Sequence, residues 1–180
     1  MATAIGGLTI EEFEQLPDAL AHNHELVDGE LVDVSGNTLG HNKLREALIE
    51  LLGPYVREHK LGDLVTEQEY DFDGNAHGPD VSFFGPAKAE LADEDLRVQR
   101  FVPDLAIEIV SKRDKFEAML EKVLRYRRCG TKEVYIFSIK TRQVFRYSEE
   151  HTVVLNENEE FRPVQIPGFA IRIGDLFGMI

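Results

Sequence analysis

The amino-acid sequence predicts an α/β domain built on a mixed central sheet flanked by helices. Three observations predict it. Helical and strand patterns follow one another as helix, hairpin, helix, strands, helix, strands. The run Asp104-Leu105-Ala106-Ile107-Glu108-Ile109-Val110 is apolar on both alternating faces apart from its acids, the pattern of a central strand covered on both sides. From Asn42 to His59, Leu44, Ala47, Leu48, Leu51, Leu52 and Tyr55 recur at helical spacing. A chain of 180 residues, 43% hydrophobic and 29% charged, suits one domain over residues 1–180, with its core at about 8–177.

The elements follow in order. Thr9 and Glu12 form a capping box that opens a short helix running to about Leu16. Glu25-Leu26-Val27 and Glu30-Leu31-Val32 flank Asp28-Gly29, and Asp-Gly suits the positive φ angles of a two-residue hairpin turn. After the helix at 42–59, Leu64 to Phe72 reads as a strand closed by Asp73-Gly74-Asn75. Pro79 to Phe84 reads as a second strand, and Lys88 to Arg100 as a charged loop or short surface helix. Beyond the central strand, a helix is expected from about Asp114 to Arg128, stopped by Gly130. Its predicted buried stripe is Phe116, Met119, Leu120, Val123, Leu124 and Tyr126, with Arg127 inside it as an exception. Glu133 to Phe137, Gln143 to Tyr147, Thr152 to Leu155 and Phe169 to Ile173 supply extra C-terminal strands.

Several classes drop out on composition and motif. No run of eighteen apolar residues exists to span a membrane, and the N-terminus lacks the basic start and apolar stretch of a signal peptide. Cys129 is the single cysteine, so neither an internal disulfide nor a thiolate metal cluster can form, and the expected location is cytoplasmic. There is no Walker A loop, no G-x-S-x-G elbow and no dinucleotide glycine fingerprint.

The net charge of −13 argues against nucleic acid, but the charge is unevenly placed. Between Lys112 and Lys132, eight basic residues stand against three acids, giving +5 locally and −18 elsewhere. Lys112, Arg113, Arg125 and Arg128 are the candidates for holding a DNA backbone, the last two because they lie off the predicted stripe. A solvated helix face with ordinary charge pairs explains the same cluster.

Glu108 carries the chemistry. A carboxylate in the middle of a core strand needs a cation, a metal or a raised pKa, because an unpaired buried charge costs several kcal/mol, of the order of 3–5. An ion pair with an arginine from a neighbouring helix is the structural alternative. Asp80 heads the preceding apolar strand and can face Glu108 from its end. Two converging carboxylates repel unless a cation lies between them, and oxygen-only ligands favour Mg²⁺, completed by water and a backbone carbonyl such as that of Ile109. Lys122 falls about 40° beyond Tyr126 on the helical wheel, where its ammonium can extend towards a metal-bound water or simply snorkel to solvent. His41, at a helix start, can touch a phosphate or a carboxylate, or act as an ordinary hydrogen-bonded histidine. Glu25 and Glu30 cap or salt-bridge the hairpin, with a metal role for Glu25 as an accessory reading.

These pieces together resemble the Uma2 family of restriction-endonuclease-like proteins, a branch of the PD-(D/E)XK nuclease-like superfamily. The matching segments are Glu25-Leu26-Val27-Asp28-Gly29-Glu30-Leu31, His41 opening a helix, Pro79-Asp80-Val81, and Pro103 through Ser111. Lys122, Tyr126 and Gly130 at spacings of four, Pro167-Gly168-Phe169 and Asp175-Leu176-Phe177 complete the match, which runs from about Leu8 to Phe177. The resemblance implies a restriction-endonuclease-like fold with Asp80 as first carboxylate and Glu108 as second. The superfamily's usual lysine position holds Val110, and the family resembles one that draws its lysine from the following helix, here Lys122. It implies a Mg²⁺-dependent endonuclease, with Mn²⁺ as a substitute, that hydrolyses DNA phosphodiester bonds as a homodimer. A non-catalytic binding or assembly module on the same fold is the rival reading.

Overall fold

The computed structural model describes residues 7–34, 37–110, 116–149 and 151–180. The chain opens with α1 (Ile10–Glu14), where the predicted capping box forms: Oγ1 of Thr9 accepts from the Glu12 N–H at 3.2 Å, and the Glu12 carboxylate accepts from the Thr9 N–H at 2.9 Å. A short α2 (Asp18–Ala21) leads into the predicted hairpin of β1 (His24–Val27) and β2 (Glu30–Asp33). Asp28 and Gly29 take φ of 50° and 81°, as its two-residue turn requires. Gly29 has a second reason to be glycine, since an added Cβ would come within 2.6 Å of the Gly7 Cα.

The twenty-residue α3 (Leu39–Glu58) follows, capped by Thr38, and then β3 (Asp63–Val65), β4 (Glu69–Asp71), β5 (Ala76–His77) and β6 (Val81–Phe84). Next come α4 (Pro86–Ala89), β7 (Val98–Gln99), β8 (Leu105–Val110) and α5 (Phe116–Arg128). The C-terminal part adds β9 (Glu133–Ser138), β10 (Gln143–Tyr147), β11 (Thr152–Leu155), β12 (Glu160–Phe161), β13 (Ile171–Arg172) and α6 (Ile173–Phe177).

Among the described residues the strands form a six-stranded sheet ordered β11-β10-β9-β8-β6-β3, a five-stranded sheet ordered β2-β1-β5-β4-β7, and the pair β12-β13. The larger sheet is mixed, with β8 parallel to β9 and antiparallel to β6. This is the predicted fold class: a mixed sheet with helices on it.

The β8 strand is central and covered on both faces, as its sequence predicts. Leu105, Ile107 and Ile109 pack with Leu44, Leu48 and Leu52 of α3. Ala106 faces the other way, towards Val123 and Tyr126 of α5. Each of these large apolar side chains contributes about 1.5–3 kcal/mol on burial, so α3 and α5 are fixed mainly by β8 and its neighbours. Glu108 shares the α5 side, and that decides which residues can reach it.

Four sequence expectations need correction. The long strand predicted over Leu64 to Phe72 is broken at Glu67, whose φ of 52° turns the chain, so that β3 joins one sheet and β4 the other. The segment from Lys88 to Arg100 contains the end of α4 and also β7, which pairs in parallel with β4. Phe169 to Ile173 yields only the two paired residues of β13, because Ile173 already starts α6. The stripe of α5 is the fourth: Phe116 and Leu124 are 75% and 59% exposed. The inward face is Met119, Lys122, Val123 and Tyr126, and Arg127 caps the backbone carbonyls of Thr131 and Lys132 past the helix end. Hydrophobic spacing places Phe116 and Leu124 inside; a partly buried lysine bonded across the fold turns the helix instead. None of the described helices is long and apolar enough to cross a membrane.

Candidate active site

A cleft of about 1280 Å³ opens between the β1–β2 hairpin, the start of α3 and the inner face of α5. Its lining includes Glu25, His41, His77, Asp80, Glu108 and Lys122. Asp80 stands just before β6, where the antiparallel pairing with β8 ends, and its side chain takes over the hydrogen bonding there. Oδ2 accepts from the Ile109 N–H at 2.7 Å, and Oδ1 lies 2.7 Å from Nε2 of His41. His41 is placed by Thr38, whose Oγ1 accepts its N–H at the α3 N-terminus. The first carboxylate is therefore fixed by the backbone next to the second.

Glu108 is 4% exposed. The Tyr126 hydroxyl donates to its Oε1 at 2.7 Å, and Nζ of Lys122 lies 3.0 Å from the same oxygen. Oε2 of Glu108 accepts no hydrogen bond among the described residues. Burial holds the Glu108 carboxyl well above the usual carboxylate range, with Lys122 pulling it down and the charges of Asp80 and Glu25 pushing it further up. Its ion-pair partner is the helical lysine, not an arginine.

Lys122 also reaches Glu25, with Nζ 2.8 Å from Oε1. Its partial burial opposes its charge, but Glu108 and Glu25 together raise its pKa. Glu25 in turn accepts from the Gly78 N–H at 3.1 Å and from Nδ1 of His77 at 2.9 Å. Burial works against its ionisation, yet Lys122 and His77 outweigh that and lower its pKa to about 2. Nε2 of His77 lies 3.2 Å from a guanidinium nitrogen of Arg125, which also donates to both carboxylate oxygens of Asp28 at 3.1 and 3.2 Å.

The site thus brings together Asp80, Glu108, Lys122, His41, Glu25 and Ile109, all named from the sequence. Glu30 is exposed on the hairpin and stays apart. Lys112 and Arg113 lie outside the described residues. The expected basic face is divided: Lys122 lies in the site, Arg125 is turned inward to His77 and Asp28, and Lys132 binds Asp104 at 3.0 Å. Arg128 is 68% exposed and its guanidinium lies 3.9 Å from Asp73. The walls carry arginines already matched to acids, Arg45 with Glu67 and Arg97 with Glu69. His77 is a site residue that sequence reasoning misses, while Arg125, expected on a DNA backbone, and Tyr126, expected only in the buried stripe, join the site as well. The one signal for them is position: His77 lies three residues before Asp80, and Arg125 and Tyr126 lie within one turn of Lys122.

The donor chemistry fits a hard divalent cation. The floor offers oxygen ligands from Asp80 and Glu108 beside the Ile109 backbone, and no thiolate. Among the described residues no group of three or more His, Cys, Asp or Glu side chains is arranged to hold a metal ion, so the protein's own share of side-chain ligands would be at most two carboxylates. One or two carboxylates, with water and substrate phosphate, is the share of ligands a protein usually gives Mg²⁺.

A family model described as "Uma2: Putative restriction endonuclease" matches residues 10–174, nearly the whole chain. The chain belongs to the Uma2 family. The resemblance read from the order and spacing of segments between Leu8 and Phe177 is thereby borne out at the family level. Among solved structures, the crystal structure of a putative nuclease belonging to DUF820 from Anabaena variabilis ATCC 29413 matches with a TM-score of 0.84. It is 20% identical, and the match covers 96% of this chain and 98% of that one, so this Uma2 member shares its fold over the full length. No curated protein matches the chain.

Proposed function

We propose that the protein is a divalent-metal-dependent endonuclease that hydrolyses DNA phosphodiester bonds. The observation that carries this reading is the meeting of Lys122 with Glu108 at 3.0 Å beside Asp80, three residues from three separate elements on one cleft floor. Asp80, Glu108 and the carbonyl of Ile109 would hold Mg²⁺ or Mn²⁺. The ion, when bound, supplies Lewis-acid polarisation of the phosphate and a water of lowered pKa.

The chain's own residues set the geometry. His41 and the Ile109 N–H fix both oxygens of Asp80, and Tyr126 with Lys122 fixes Oε1 of Glu108 while leaving Oε2 for the cleft. Lys122 offsets charge that builds on the phosphate and orients the attacking water. Water oxygen bonds to phosphorus as the opposite P–O bond breaks, leaving a phosphomonoester and a hydroxyl. Arg128 would hold the DNA backbone without reading sequence. A homodimer offering two such sites to opposite strands belongs to the same reading, and it requires sedimentation to show a species heavier than the 20.4 kDa chain.

A plasmid-nicking assay with Mg²⁺ or Mn²⁺ tests the function, comparing wild type with Asp80→Ala and Glu108→Gln. Nicking by wild type and loss in both variants supports it. DNA bound but left intact favours the binding module, a reading encouraged by the acid-matched arginines of the cleft walls.

A further inference from the structure

We propose that His77 and Arg125 are positioning residues that act through Glu25 to hold Lys122 against Glu108. This rests on the nuclease reading of the cleft for its consequence, but its geometry stands separately. A guanidinium has donors only, so Nε2 of His77, 3.2 Å from Arg125, must be the accepting nitrogen. The imidazole proton then sits on Nδ1 and is donated to Oε2 of Glu25 at 2.9 Å. Glu25 is left with Oε1 turned to Lys122 at 2.8 Å. The rings of Phe72 and Tyr126, with centroids 5.8 and 5.7 Å from that of His77, wall the imidazole in.

The outer end of this chain is equally fixed. Asp28, at the hairpin turn, accepts from Arg125, and its backbone N–H is held by Oδ1 of Asn75 at 2.7 Å. A lysine side chain has a flexible four-carbon stem and loses rotamer freedom when held in one place. Lys122 is held by two acceptors, and one of them, Glu25, is oriented from outside the catalytic group. Moving Glu25 would leave the ammonium near Glu108 but without a defined direction.

The test uses two amides that mimic different ring nitrogens. In His77→Asn the side-chain amide can still donate to Glu25 from the place of Nδ1; in His77→Gln it reaches the place of Nε2 and cannot. The expected result for His77→Gln is a fall in kcat of about 10- to 100-fold, the usual effect of losing an outer-shell partner, with KM unchanged. His77→Asn should recover most of that loss. The second readout needs no activity: Lys122 labelling by an amine-reactive reagent, mapped by mass spectrometry on protein whose melting curve shows it folded. Lys122 should be shielded in wild type and His77→Asn and labelled several-fold faster in His77→Gln. Arg125→Met should give the same increase, and it serves if His77→Gln does not fold. Wild-type kcat and shielding in both His77→Gln and Arg125→Met would overturn the proposal, as would equal losses in the Gln and Asn variants. If wild type cleaves no DNA, the nuclease reading fails, and the labelling result alone decides the positioning role.

Discussion

The ammonium of Lys122 stands 3.0 Å from Oε1 of Glu108, so the second carboxylate of the site already has a cation of its own chain beside it. The same ammonium is 2.8 Å from Glu25. One lysine is therefore shared by two buried acids. The placement of Asp80 is separate, with one oxygen on His41 and the other on the Ile109 N–H.

Removing that lysine should therefore cost stability as well as activity. Lys122→Met keeps the stem but leaves Glu25 and Glu108 without their shared partner, and breaking a buried ion pair from one side costs about 3–5 kcal/mol. Urea unfolding near neutral pH checks this. A change below about 0.5 kcal/mol, the size of an ordinary surface substitution, would mean that Lys122 is not buried between the two acids.

The raised pKa of Glu108 has a defined sign. Burial first, then the charges of Asp80 and Glu25, hold its carboxyl above the unfolded value against the pull of Lys122. Such a group adds stability below its unfolded pKa, and that contribution is lost as pH rises through the folded value. In metal-free buffer, the stability of wild type relative to Glu108→Gln should fall as pH climbs above the ordinary glutamate range. Paired unfolding curves from pH 4 to 8 measure it, and a difference that grows with pH would reverse the assignment.

Asp104 predicts the opposite slope. It is 6% exposed and works against burial, but the Gly85 N–H, Lys88 and Lys132 hold its pKa below the usual carboxylate range. Its contribution is present above the unfolded pKa and is lost as pH falls through the folded one. Asp104→Asn should destabilise the protein by about 2 kcal/mol at neutral pH, the scale of losing a charged hydrogen-bond partner. That gap should close in acid. A gap constant down to pH 2 would contradict the ion-pair account.

Much of this site is legible in the sequence because it depends on local pattern. Asp28-Gly29 marks its hairpin by backbone chemistry, and Glu108 is conspicuous because every neighbour in β8 that shares its face is apolar. The α5 face is not legible. Periodicity places Phe116 and Leu124 inside, whereas the helix is turned by Lys122 and Tyr126 bonding to Glu108, a contact between residues fourteen and eighteen positions apart that spacing cannot express. Arg125 is misread for the same reason, since the acid it answers lies on the distant hairpin. The break at Glu67 is hidden because a positive φ at glutamate has no sequence signature comparable to glycine's.

The central claim is that Lys122, placed beside Glu108 and Asp80, acts in phosphodiester cleavage. Single-turnover cleavage of plasmid DNA with Mg²⁺ or Mn²⁺, measured for wild type and folded Lys122→Met, tests it most directly. The predicted result is metal-dependent cutting by wild type that slows by about a hundredfold or more in the variant, as loss of one preorganised charge does. Equal rates for the two proteins, or a wild type that leaves DNA intact with either metal, would contradict the claim.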